Sequence, residues 1–155
     1  MAEALQIRED DLSGEATRGL LALHLAGMHA NSPPGHVFAL DLSGLQRPGV
    51  TVWTVWNGAD IAGVGALSML GDGNAELKSM RTHPAQLRRG VAGALLDRMI
   101  LEARQRGMLR LSLETGSGPA FDPALALYRS RGFRDGEPFG GYERSAFNQF
   151  LHLDW

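Results

Sequence analysis

Along the chain the spacing of apolar positions changes character three times, and the changes mark the elements. "ALQIRE" reads as a short strand. Ala16, Leu20, Leu23 and Gly27 then recur at helical spacing in "SGEATRGLLALHLAGMHANSPPG", with Ser13 as the expected N-cap and Glu15 in the first turn. Pro33-Pro34-Gly35 stops that helix, and "HVFALDLSGLQ" holds a shorter one. From Val50 the pattern becomes that of strands. "VTVWTVW", "IAGVGALSML" and "AELKSMRT" are rich in β-branched and apolar residues and are separated by the turns "NGAD" and "GDGN". That is an antiparallel meander of three strands. Trp53 and Trp56, three apart, fall on its opposite faces, which leaves one of them exposed or covered by a partner.

After His83-Pro84 the period returns to that of a helix. Val91, Ala92, Leu95, Leu96, Met99, Ile100 and Ala103 form one stripe, closed by Gly107. "LRLSLET" is a strand, "PALALYRSR" a helix ended by Gly132, and "FNQFLHLDW" a final strand. The order β-α-(α)-β-β-β-α-β-α-β, with no repeat or linker, predicts one α+β domain over residues 1–155.

Composition narrows the function. The net charge of −2 argues against a nucleic-acid grip built on overall positive charge. The absence of cysteine removes disulfides, a thiol nucleophile and thiolate-bound metal. Neither a signal peptide nor an apolar run long enough to span a membrane is present, so a cytoplasmic location is expected. The five histidines show no metal-ligand spacing, and no metal is expected.

The stretch "QLRRGVAGALL" stands out because two arginines and two glycines precede a helical stripe, although glycine weakens helices. Unpaired N–H groups at a helix start carry partial positive charge, and a glycine there lets an anion approach the backbone. Arg88 and Arg89 add formal charge suited to phosphate. A solvated helix entrance is the plain alternative. The Walker loop is excluded because no Gly-Lys-Ser/Thr follows, and Gly63 and Gly65 are too few for a dinucleotide fingerprint.

Together "THPAQLRRGVAGALL", "LSLETG" and "ALALYRSRGF" resemble the GNAT superfamily of acyl-CoA-dependent N-acyltransferases, most specifically from Glu76 to Phe133. The family's Gln/Arg-x-x-Gly-x-Gly/Ala turn is matched at Gly90 and Ala92, while Leu87 replaces its first residue. The resemblance implies a mixed central sheet, an antiparallel meander followed by splayed strands, with helices on both faces. It implies acetyl-CoA as donor, its pantetheine arm paired with Met80, Arg81 and Thr82 and its pyrophosphate on the turn Arg88, Arg89, Gly90, Val91, Ala92 and Gly93. The oxyanion donor it implies is the backbone N–H of Met80 or Arg81.

The expected activity is acetyl transfer to a primary amine of a small molecule or amino-acid-like acceptor, in a ternary complex. Tyr128 matches the family tyrosine that protonates the departing sulfur, in Leu-Tyr-x-x-x-Gly-Phe, or else it is a packed core residue. Phe121 stands where the family has an asparagine. Glu76 is the candidate base; an exposed Glu76–Lys78 pair with an ordered water as base is the alternative. His29 and Asn31 at the end of the first helix, and Tyr142 in a glycine-flanked loop, are candidate acceptor contacts, while Phe147, Phe150 and Trp155 are expected to pack the last strand. A non-catalytic acyl-CoA-binding sensor of the same fold is the competing reading. Neither nucleic acid nor membrane is expected as a partner, and the resemblance leaves a homodimer open.

Overall fold

The computed structural model describes residues 4–155. Seven strands form one sheet in the order β1-β2-β3-β4-β5-β7-β6. Strand β1 (Gln6–Asp10) leads into helix α1 (Glu15–Asn31) and a single turn, α2 (Leu42–Leu45). The meander follows as β2 (Val50–Asn57), β3 (Asp60–Gly71) and β4 (Asn74–Thr82), all antiparallel. A 3₁₀ turn (Pro84–Gln86) and helix α3 (Val91–Gln105) cross over to β5 (Arg110–Thr115), which lies parallel to β4. Helix α4 (Asp122–Ser130) follows. The chain ends in β6 (Arg134–Asp135) and β7 (Gln149–Asp154), with β7 inserted between β5 and β6.

Both faces of the sheet are covered, as the alternation of buried residues requires. On one face α3 and α4 bury Leu95, Leu96, Met99 and Leu125 against Trp53, Leu67, Leu111 and Leu151. On the other, Leu20 and Leu21 of α1 and Leu45 of α2 cover Val52, Val64 and Ala66. The α3 stripe is the one read from the sequence, with Val91, Leu95, Leu96, Met99 and Ala103 buried and Ala92 and Ile100 at its margins. Trp53 and Trp56 do fall on opposite faces, but neither is exposed; Trp56 is half-buried beneath the Arg8 guanidinium.

Helix α1 departs from expectation at both its cap and its face. Its N-cap is Gly14, and Ser13 Oγ donates to Asp11 Oδ1 instead. The buried face is Thr17, Leu20, Leu21 and His24, one step round from the apolar stripe, with Leu23 41% exposed. The reason is polar. Thr17 Oγ1 donates to Asp10 Oδ2 at 2.9 Å, and His24 accepts from Arg81, so burying these two residues satisfies both. The two-residue β6 is an addition that no pattern in "FRDG" announces.

Two irregularities position the site. Strands β4 and β5 pair only at Asn74–Arg110, Ala75–Leu111 and Glu76–Ser112, and then separate. Within β4 a bulge sets Ser79 and Met80 together opposite Gly65, with Ser79 at φ 58°. The extra residue restores Arg81 to the face that already carries Glu76 and Lys78. A regular strand would turn it toward α3.

Candidate active site

Where β4 and β5 part, the sheet opens a cavity of about 490 Å³. Its walls are Lys78–Thr82 on β4, Leu113–Thr115 on β5, the start of α3, and parts of α1 and α4. Beyond Glu76 the facing edge of β4 has no strand partner, so its N–H and C=O groups are available to an extended ligand that pairs as a strand would. At the bulge the Ser79 hydroxyl is buried without a hydrogen-bond partner.

One end of the gap is formed by the arginine-glycine turn. Arg88 and Gly90 both adopt left-handed backbone, at φ 64° and 76°, and the first α3 bond runs from Ala94 N–H to the Gly90 carbonyl. The N–H groups of Val91, Ala92 and Gly93 therefore have no partner within the helix, and no side chain caps them. All three residues line the cavity, as do Arg88 and Gly90. Gly90 is required by conformation: a side chain there would meet no atom within 4 Å, but few residues other than glycine adopt that φ readily. Arg89 is exposed and lies outside the cavity wall. This turn therefore offers the cavity three unpaired backbone donors with Arg88 beside them.

Tyr128 reaches the cavity from α4 and is 7% exposed. Burial alone pushes its phenol up to about 12, which keeps it protonated at neutral pH. Phe121, at the start of α4, packs edge-on against Phe147 and forms part of the same wall, so an apolar contact occupies that position.

The opposite wall is charged. Glu76 and Lys78 are paired at 3.2 Å and are nearly inaccessible, so they are not the exposed strand face of the alternative reading. Tyr142 completes the group. Its hydroxyl donates to Glu76 Oε2 at 2.6 Å and accepts from Lys78 Nζ at 2.7 Å. Burial and the Glu76 carboxylate push that phenol well above its ordinary value. Tyr142 stands behind the cavity wall, holding Glu76 and Lys78, and Phe38 and Phe139 pack edge-on against its ring.

Sequence reasoning missed Glu114. It projects from β5 into the same gap, and burial pushes its carboxyl up to about 7, with Lys78 opposing the rise and Glu76 adding to it. A signal was present: in "RLSLET" the alternation buries Leu111 and Leu113 on the α3 face and sends Ser112 and Glu114 to the other.

Of the expected acceptor contacts, Asn31 lies on the cavity wall, its amide donating to the Gly27 carbonyl. His29 is exposed and away from it. His83 caps the 3₁₀ turn, and His152 is a satisfied core residue between Ser112 and the Glu137 carbonyl. Phe147 and Phe150 pack internally, whereas Trp155 is 36% exposed at the chain end. Among the described residues no cluster of histidines and carboxylates could hold a metal, and no helix is long and apolar enough to cross a membrane.

Comparison with known proteins agrees with this fold. The model of the acetyltransferase (GNAT) family matches residues 18–133. The chain is 46% identical over 147 residues to the uncharacterized N-acetyltransferase YedL of Escherichia coli (strain K12), covering 95% of this chain and 92% of that protein. It is 44% identical over 147 residues to the uncharacterized N-acetyltransferase YsnE of Bacillus subtilis (strain 168), covering 95% and 97%. Among solved structures, a Bacillus subtilis acetyltransferase in complex with CoA superposes with a TM-score of 0.73 at 19% identity, covering 98% and 99% of the two chains.

Proposed function

The chain belongs to the acetyltransferase (GNAT) family, and from that premise we propose that it moves the acetyl group of acetyl-CoA to a primary amine of a small acceptor, by direct transfer in a ternary complex. The observation that carries this reading is the gap between β4 and β5, which joins an open strand edge, an uncapped helix start and a buried phenol in one cavity. The unpaired edge at Met80–Thr82 suits a pantetheine arm. The free amides of Val91, Ala92 and Gly93, with Arg88, suit its pyrophosphate. Acetyl-CoA supplies the activated thioester; the remaining chemistry falls to the protein.

An alkylamine with a pKa of about 10.4 must lose a proton before it attacks. Glu76, the base expected from the sequence, already accepts bonds from Tyr142 and Lys78. Glu114 makes no ion pair among the described residues and titrates near neutrality, so we assign the amine proton to Glu114, directly or through a water. Glu76 then positions Lys78 and Tyr142 beside it. As the new C–N bond forms, backbone N–H groups at Met80 or Arg81 donate to the oxyanion. As the C–S bond breaks, the Tyr128 O–H would donate its proton to the departing sulfur, so that CoA leaves as the thiol.

The test is a thermal shift of the protein with acetyl-CoA, CoA and ATP, followed by thiol release over a panel of amines. Stabilisation by both CoA forms but not by ATP, with thiol release from some amines, is the expected outcome. Stabilisation without turnover would reduce the protein to a CoA-binding module. Neither stabilisation nor turnover would overturn the proposal.

A further inference from the structure

On the face of the cavity away from the phosphate turn lies a cation that the transfer chemistry leaves unused. Arg81 lines the cavity, half-buried, and no carboxylate among the described residues pairs with it. Its one side-chain bond runs from Nε to His24 Nδ1 at 3.0 Å. His24 is 6% exposed, and burial, with the neighbouring guanidinium, draws its pKa down to about 4. The ring is therefore neutral at pH 7 and steers Arg81 without neutralising it.

The guanidinium also lies close against helix α1. A methyl group at Gly27 of α1 would come within 2.9 Å of Nη2, so this helix position is kept small where Arg81 lies against it. With Nε engaged, the terminal nitrogens remain as a fork of donors, the geometry that grips a carboxylate at two points. Even half-buried, an oriented and unneutralised cation gains from a counter-charge. The phosphates are the wrong counter-charge. Their expected cradle heads α3, on the opposite face of the sheet from α1, and has Arg88 of its own. Lys78 is no competitor for an incoming anion, being paired with Glu76.

We propose that Arg81 is the specificity-determining anchor for the acceptor, and that the acceptor is a small amine carrying a carboxylate, an amino acid in the broad sense. This rests on the acetyl-transfer reading above and names the substrate class of the same site. The carboxylate occupies the Arg81 fork while the amine faces Glu114 and the thioester.

The experiment uses matched acceptors: amino acids against their carboxamides and their decarboxylated amines. Binding to the CoA-loaded protein is measured by calorimetry and turnover by thiol release. The wild type should favour the acid member of its best pair by about a hundredfold in kcat/KM. Arg81→Gln should abolish that preference, bringing kcat/KM for the acid member down to the level of its carboxamide. Gly27→Ala leaves α1 sound, since alanine favours helix, yet crowds the guanidinium, and it should weaken the acid member selectively. Preference for the carboxamide or amine, equal losses on both members, a loss falling on acetyl-CoA, or no binding of any acid overturns the assignment. Turnover confined to amines without a carboxylate sinks the anchor but spares the transferase. Selective binding of acids without turnover does the reverse.

Discussion

Replacing Glu114 with glutamine should make the protein more stable while making it a poorer catalyst, and the stability gain should depend on pH in a defined way. In the folded chain this carboxyl is raised from 4.5 to about 7, first by burial. Between those values the unfolded chain has lost the proton that the folded chain still holds, so wild-type stability falls as pH rises through the window. It levels off above about 7.5. The full shift corresponds to about 3 kcal/mol as an upper bound. Glu114 is half-buried and faces an open cleft, so solvent screening reduces the effect to roughly 1–2 kcal/mol. Glutamine stays neutral at every pH and escapes the loss. Thermal melts of Glu114→Gln and wild type should coincide near pH 4, diverge between pH 4.5 and 7, and differ by roughly 2–8 °C at pH 8. The wild-type kcat/KM should climb through about pH 7, a limb the variant lacks. A melting difference that ignores pH, or a variant less stable at pH 8, would refute the account of Glu114.

Three further outcomes follow from the geometry. Tyr128→Phe should lower kcat about a hundredfold, with little change in the KM for acetyl-CoA or in stability, as steady-state kinetics and a melt will show. Gly90→Ala should cost about 1–2 kcal/mol in denaturant unfolding, wholly through its left-handed backbone, because a side chain there meets no neighbour. Asp10→Ala should cost about 2–3 kcal/mol in the same assay without altering kcat. It strands the buried hydroxyls of Thr17 and Thr54 and the Leu12 amide, all of which that carboxylate accepts.

The difference between what could and could not be read from the chain is physical. Helix α3 was legible because its packed face is apolar from Val91 to Ala103, so periodicity and burial coincide. Helix α1 was not, because Thr17 and His24 turn inward to partners on β1 and β4 that no local window contains. The left-handed, arginine-bearing turn before α3 was legible because conformation and charge are both written within six residues. The charged wall was not: Glu76, Lys78, Glu114 and Tyr142 are brought together by the parallel pairing of β4 with β5 and by a loop 64 residues beyond Lys78. The family resemblance implies a site role for the Arg81 backbone alone. Its side chain's role depends on a bulge that sequence alternation does not reveal.

The parting of β4 from β5 also bears on which strand edges are open to other molecules. Unpaired strand edges template aggregation when they lie on the rim of a sheet. Here the longest open edge lies in the middle of the sheet, inside a cleft flanked by helices, where a slender ligand can lie but a second sheet cannot dock. The true rims are modest by comparison. One is β1, reading Gln-Ile-Arg-Glu-Asp with three consecutive charges; the other is β6, two residues long. The open backbone proposed to pair with a ligand is thus sheltered by the same splay that creates it.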